Sequence, residues 1–348
     1  MISIPSPLRL RLDSAALVAN WRWLASAGGA AACGAAIKAD GYGLGARKVM
    51  RHLAAAGCRD FFVSNWAEAA ALMPLPPGVS LAVLHGVGDS DMVAARTLPA
   101  RPVLNSLDQL RRWRAGGEGR PCDVMVDTGM NRLGLRVEEA TGGALDGLAI
   151  ETLLSHLASA DEDSPQNARQ LAAFRAVRER VPARRYSLAN SAGICLGADY
   201  AFDLTRPGIA LYGGIPRDEA AGHVAQVVYP EARVLQVRDV PAGETVGYGA
   251  TWTALVDSRI VIVNMGYADG YLRCHAGTGS ARWEGRTLPL VGRVSMDLLA
   301  FAVGGTAGPG EGDWLTIDYD LPSVSVASGL SQYELLTGLG TRFDRRWR

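Results

Sequence analysis

Short apolar runs alternate with amphipathic stretches over roughly the first two-thirds of the chain. The runs fall at Cys33–Lys38, Asp60–Ser64, Ser80–His85, Arg101–Asn105, Cys122–Asp127, Ile150–His156, Arg185–Leu188 and Asp203–Arg206. Each has the length and the flanking turn residues of a buried strand. Between most of them the spacing is helical, as in Ala67–Met73, Leu107–Arg114 and Gln166–Val181. Eight strands with intervening helices predict a (β/α)8 barrel of the TIM type, with a doubly wound sheet as the competing arrangement. After about Tyr229 the helical stretches fade. Short β-branched runs replace them at Ala232–Val237, Arg259–Asn264, Thr287–Val291 and Trp314–Asp318, punctuated by Gly and Pro. This predicts a mainly-β C-terminal domain. The expected division is a barrel over residues 1–225 and a β-rich domain over 226–348, with Gly213–Val224 as the linker. The alternating segment from Met1 to Leu12 is a candidate to pair with the second domain.

Composition narrows the class. Hydrophobic residues make up 48% of the chain, ample for a sizeable core. The 35 basic and 35 acidic residues balance, and no basic tract stands out, which argues against a nucleic-acid partner. No apolar run approaches the ~20 residues of a membrane helix. The N-terminus has no signal-peptide pattern, so a cytoplasmic address is expected. The five cysteines, Cys33, Cys58, Cys122, Cys195 and Cys274, are scattered and contain no CxxC. Reduced, mostly buried thiols are expected, with neither disulfides nor a metal site.

One count is more pointed. Of the 35 basic residues, two are lysines, Lys38 and Lys48, and 33 are arginines. Lys48 lies in a helical stretch and reads as a solvated charge. Lys38 ends an apolar run and precedes Ala39-Asp40-Gly41-Tyr42-Gly43, a turn. A lysine kept in an arginine background points to a need for its amine, which can act as a nucleophile or form a Schiff base where arginine cannot. In a parallel barrel the chemistry gathers at the C-terminal ends of the strands. Lys38, Asp127, His156, Asn190 and Arg206 all fall at or just past predicted strand ends. Singly each has a bland reading: a turn aspartate, a hydrogen-bonded core histidine, a structural arginine.

Seven motifs in order carry a resemblance that spans nearly the whole chain. They are Ala36-Ile37-Lys38-Ala39-Asp40-Gly41-Tyr42-Gly43, Val126-Asp127-Thr128-Gly129-Met130-Asn131-Arg132-Leu133-Gly134, Ala189-Asn190-Ser191-Ala192, Arg206-Pro207-Gly208-Ile209-Ala210-Leu211-Tyr212-Gly213, Gly247-Tyr248-Gly249-Ala250-Thr251, Gly266-Tyr267-Ala268-Asp269-Gly270-Tyr271 and Gly292-Arg293-Val294-Ser295-Met296-Asp297. In these the chain resembles the alanine racemase family of pyridoxal 5'-phosphate (PLP) enzymes.

The resemblance implies interconversion of L- and D-alanine, for peptidoglycan supply or for alanine catabolism, by proton transfer between two bases. Lys38 would hold PLP and serve D-alanine, and Tyr248 would serve L-alanine from the opposite face. A phenol is a poor base unless its anion is favoured, and the resemblance supplies a hydrogen-bonded chain from Tyr248 through His156 to Arg206. Arg206 would face the pyridine nitrogen as a permanent donor, leaving that nitrogen unprotonated and the electron sink weakened. Tyr42, Asn190, Ser191, Gly208 and Ile209 would complete the cofactor cradle. Arg132 and the Met296 amide would hold the substrate carboxylate, and Tyr267 would narrow the entrance. The family's sites lie between two subunits, which implies a homodimer with Tyr248, Tyr267 and Met296 serving the partner's PLP.

Three positions depart from the pattern. Met125 stands where the family often has a carbamylated lysine that braces the substrate arginine, so Arg132 must be held otherwise. Leu44 follows Tyr42-Gly43 in place of a common histidine, and Thr341 aligns with a phosphate-touching tyrosine. Met125 keeps a broader racemase of small amino acids, such as serine, as an alternative. A decarboxylase of the same barrel type would favour an acidic partner for the ring nitrogen, against Arg206. A PLP-homeostasis protein would lack the second domain.

Overall fold

The computed structural model describes residues 5–305 and 307–348, in two compact units. One comprises Leu17–Ala225, the other the N-terminal segment up to Ala16 together with Gln226–Arg348. Met1 to Ile4 of the N-terminal alternating segment lie outside the described residues.

In the first unit, parallel strands pair in chain order: Ala35–Ala36, Asp60–Val63, Ser80–Val83, Arg101–Leu104, Cys122–Asp127, Ile150–Leu154 and Arg185–Ser187. Leu204–Thr205 closes the ring. On one side it pairs in parallel with Ala32–Cys33. On the other, the N–H groups of Asp203 and Arg206 donate to Tyr186 O (3.0 Å) and Ala189 O (2.9 Å). The structure is thus a closed (β/α)8 barrel, and the doubly wound alternative is excluded.

The first barrel strand is not continuous from Cys33 to Lys38. It breaks at Gly34 and ends at Ala36. A Cβ on Gly34 would lie 2.9 Å from both Asp60 O and the Phe62 ring, so only glycine fits where the strand changes neighbours. Inside the barrel, Phe62, Ala82, Val103, Met125, Leu154 and Leu204, from six different strands, form one apolar layer. Met125 is therefore a packed member of the barrel interior. The helices predicted around 67–73, 107–114 and 166–181 are present as Trp66–Ala71, Leu107–Gly116 and Pro165–Arg180.

The second unit is antiparallel around the 13-residue strand Val228–Val240. A six-strand ring runs from it through Ser258–Val263, Leu299–Val303, Arg286–Val291, Ser280–Trp283 and Trp314–Ile317, and back. Leu8–Leu12 extends the sheet, antiparallel to Val228–Ala232 and parallel to Asp344–Trp347. Its strict alternation buries Leu8, Leu10 and Leu12 and leaves Arg9 and Arg11 to hold the buried Glu231 on the other face. Two short helices near the C-terminus, Leu321–Ser328 and Gln332–Thr337, were not predicted from the pattern. At 8 and 6 residues they fall short of the window over which an amphipathic helical pattern is read. No described helix is long and apolar enough to cross a membrane.

Candidate functional site

Lys38 lies just past the end of Ala35–Ala36, on the rim formed by the C-terminal ends of the parallel strands. The turn that follows is left-handed at Ala39, Asp40, Gly41 and Tyr42, with φ of 51°, 51°, 65° and 56°. Three of these are not glycine, and each such residue costs about 1–2 kcal/mol. Two carboxylates offset that cost. Glu68 accepts the N–H of Ala39 at 2.9 Å and of Ser64 at 2.7 Å, and Asp40 accepts the N–H of Ala46 at 2.9 Å. The Lys38 side chain is accessible. Even so, the protein around it desolvates the ammonium, and Arg132 adds repulsion, so its pKa lies below the ordinary lysine value despite the opposing charge of Glu68. More of the amine is thereby free.

Four more strand ends bring their residues to the same rim. Asp127 folds the next loop over itself, with Oδ1 accepting from Gly129 and Met130 (2.8 Å each) and Oδ2 from Arg132 (2.9 Å). Burial would raise its pKa, but these backbone donors overcome that and hold the carboxyl below its ordinary range. The Arg132 side chain is exposed and makes none of the ion pairs found among the described residues. His156 is half-buried. Desolvation, then the charges of Arg206, Arg132 and Lys38, push its pKa down to about 3, so it is neutral near pH 7. Arg206 is 7% exposed. Its Nη1 donates to Ser187 Oγ and its Nη2 to Ser155 O at 2.5 Å, which uses two of the five guanidinium N–H donors and leaves Nε–H among the rest. Burial lowers its pKa to about 10, with Asp123 opposing, so it stays charged near neutrality.

Ser191, Gly208 and Tyr42 meet beside these groups. Ser191 Oγ accepts the N–H of Gly208 (2.8 Å) and of Ala210 (3.3 Å), which leaves its own hydroxyl proton to donate elsewhere. A Cβ at Gly208 would lie 2.2 Å from Tyr42 Oη, so the phenol can approach the backbone only because residue 208 is glycine. Ile209 begins the short turn Ile209–Tyr212. Asn190 is placed differently from a simple ligand. Its Oδ1 caps the helix Ser191–Cys195 through Gly193 N at 2.8 Å, which leaves both N–H donors of its amide for another partner.

The second unit gathers the remaining candidates on three loops. Tyr248 is 70% exposed, on a glycine-flanked turn whose Gly249 backs onto the Arg293 guanidinium. Tyr267 is half-buried, with Arg273 5.3 Å above its ring. Met296 is 53% exposed. The Tyr267 N–H donates to Ser295 O and the Ala268 N–H to Met296 O, both at 3.0 Å, so the Tyr267 and Met296 loops are directly joined.

Several residues of evident importance escaped the sequence reading. Glu68 shows only as the fourth residue of Asn65-x-x-Glu68, the mark of a helix start. It reaches instead to the Lys38 turn. Gln170 is fully buried and donates to Thr128 Oγ1 (3.2 Å) and His156 O (2.9 Å), joining two strand-end loops. Asp269 lies inside a quoted motif but had no role, and its partner Arg342 sits in an arginine-rich tail.

Comparison with known proteins gives a consistent picture. Residues 12–216 match the family model for the alanine racemase N-terminal domain, and residues 227–347 match that for the alanine racemase C-terminal domain. An alanine racemase from Acidiphilium cryptum is 41% identical, over 97% of each chain. A crystal structure of alanine racemase from Bartonella henselae with covalently bound pyridoxal phosphate superposes with a TM-score of 0.91 at 36% identity, covering 99% of this chain and 100% of that one. The biosynthetic alanine racemase of Pseudomonas aeruginosa gives a TM-score of 0.88 at 31% identity, with coverage of 99% and 100%.

Proposed function

The chain belongs to the alanine racemase family, and from that premise we infer that it is a PLP-dependent isomerase interconverting L- and D-alanine. The observation that carries the reading is the rim itself. A lysine with a depressed pKa, a neutral histidine, a charged buried arginine and a serine–glycine–tyrosine cradle all stand at the C-terminal ends of barrel strands.

These residues suit PLP. Lys38 would hold the cofactor through its amine. Tyr42, Ser191 and the backbone around Gly208 and Ile209 would take the phosphate, with the Ser191 proton free to donate and no side chain at 208 to block approach. Asn190 would contribute its amide and carry the helix that presents Ser191. When bound, PLP supplies the electron sink that makes loss of an α-hydrogen accessible.

The protein's own groups then divide the work. Arg206 would offer Nε–H to the pyridine nitrogen. Because it stays charged it could only donate there, which would leave that nitrogen unprotonated and favour proton return over side reactions. Arg132 and the Met296 N–H would grip the alanine carboxylate. Tyr267 would restrict the side chain to small groups. The Lys38 amine would exchange the proton of D-alanine and the Tyr248 phenol that of L-alanine, with His156 kept neutral between Arg206 and the phenol. Tyr248 and Met296 are open to solvent in the single chain, and we place them in the active site of a second copy, as a homodimer with shared sites.

The direct test is deuterium wash-in at the α-carbon in D2O, with chiral analysis across a panel of L-amino acids. The expected result is fast exchange with D-product from alanine alone. Exchange and racemisation across several amino acids would overturn the alanine assignment, and no exchange with PLP bound would overturn the activity.

A further inference from the structure

The two loops that carry Tyr267 and Met296 share one guanidinium. Arg342 Nε donates to Asp269 Oδ1 at 2.7 Å and Nη2 to Asp269 Oδ2 at 2.8 Å, while Nη1 donates to Asp297 Oδ1 at 2.7 Å. Asp269 follows Tyr267 by two residues and Asp297 follows Met296 directly, so each carboxylate belongs to one loop. Asp269 is fully buried. Its Oδ2 also accepts the N–H of Gly266 at 3.0 Å, and its backbone oxygen accepts the N–H of Gly340 at 3.1 Å. Asp297 is fastened from behind by Asn264 Nδ2 on its carbonyl at 3.1 Å. The approach is close: a Cβ on Gly266 would lie 2.3 Å from both Ser295 O and Met296 O.

We propose that Arg342 is a positioning residue for substrate, a planar fork that sets the Tyr267 turn and the Met296 loop at a fixed separation. The proposal rests on the reading that these loops flank alanine. Backbone hydrogen bonds already join the loops at Tyr267 and Ala268, but they fix only the pairing. The three-nitrogen bridge adds a rigid triangle, because guanidinium geometry matches one carboxylate bidentately and presents its remaining edge to a second. A lysine would keep the charge and lose the fork. Arg342 touches neither Tyr267 nor Met296 by any of these bonds, so its influence passes through the loops. Misplacement of a binding group by about 1 Å is enough to weaken its contribution severely.

The test uses Arg342→Lys and Asp297→Asn in the PLP-loaded enzyme, with Tyr267→Ala as a control on the underlying reading. Asp269, fully buried, is left intact so that folding is preserved. The expected result is a rise in KM for both alanine enantiomers of roughly tenfold in each variant, with kcat within about threefold. The visible spectrum of bound PLP should stay unchanged. The thermal midpoint should hold in Asp297→Asn and fall only modestly in Arg342→Lys, where the buried Asp269 loses its fork, and the double variant should be no worse in KM than the poorer single one. If kcat, PLP spectrum and thermal midpoint fall together, Arg342 is a fold element and the proposal is overturned. If KM holds in both variants while Tyr267→Ala admits larger amino acids, the bridge is overturned and the reading of the loops stands. If Tyr267→Ala also leaves side-chain preference unmoved, the reading falls and takes the bridge with it.

Discussion

Glu68 Oε1 accepts the backbone N–H of Ala39 at 2.9 Å, one residue past Lys38. A helix on one strand connection thus holds the left-handed turn that presents the lysine from another. Removing a charged acceptor from such a place costs about 1.5–3 kcal/mol. Glu68→Ala should therefore weaken PLP binding by roughly 10- to 100-fold. Glu68→Gln, which keeps one acceptor, should lose less. Spectroscopic titration of the apo-protein with PLP measures both, and equal affinity in Glu68→Ala and the parent would show that the turn holds itself.

Lys38 and Tyr248 should separate by direction. Lys38→Arg keeps the charge but cannot hold the cofactor covalently, so racemisation and the spectrum of the bound cofactor should both vanish. Tyr248→Phe should lower racemisation by about 10²–10⁴-fold. Exchange of the D-alanine α-hydrogen with solvent should survive in it far better than exchange of the L-alanine α-hydrogen. Equal loss from both enantiomers would contradict the assignment of one face to each base.

Met125 packs in the apolar layer with Phe62, Val103 and Leu154. It has no amine to react with CO2. Activity should be the same in bicarbonate-free and bicarbonate-containing buffer, measured as initial rates. Met125→Ala should destabilise the barrel by about 2–5 kcal/mol in urea unfolding, as a buried large-to-small change. A loss near zero would mean that the layer closes over the gap.

His156 gives the protein an acid-side liability. A histidine titrates near 6.5 in an unfolded chain and near 3 in this folded one. Between those values the unfolded chain takes up a proton that the folded one refuses, so stability falls as pH drops below about 6.5. The slope from this group approaches roughly 1.4 kcal/mol per pH unit. Urea midpoints at pH 7.5 and 5.0 should converge in His156→Asn relative to the parent. Parallel pH dependence in the two proteins would assign the acid sensitivity elsewhere.

The proposed homodimer, in which the exposed Tyr248 and Met296 serve a second copy, predicts a concentration dependence. Specific activity should fall on dilution in step with the fraction of dimer seen by analytical ultracentrifugation. Monomers with full turnover would place every catalytic group in one chain.

Periodicity made the alternating strands and helices legible, since buried parallel strands and amphipathic helices carry distinct local patterns, but it left a doubly wound sheet in competition until Leu204–Thr205 was seen to close the ring. It also showed the switch to β structure after Tyr229. Lys38 stood out for a chemical reason, as one of two lysines among 33 arginines. Ordered motifs then supplied the family and, through it, the cofactor and reaction. What the pattern could not contain were contacts between residues far apart in the chain. Gly34 looks like any strand glycine until Asp60 and Phe62 are brought against it. Glu68 looks like a cap until the Lys38 turn arrives beside it. Arg342 is one arginine in a basic tail, 73 residues from Asp269, and only folding sets its three nitrogens between two carboxylates. Local sequence determined which elements form and which chemistry is available. Tertiary structure decided where each donor finds its acceptor, because hydrogen-bond geometry and burial depend on position in space, and spacing along the chain does not encode it.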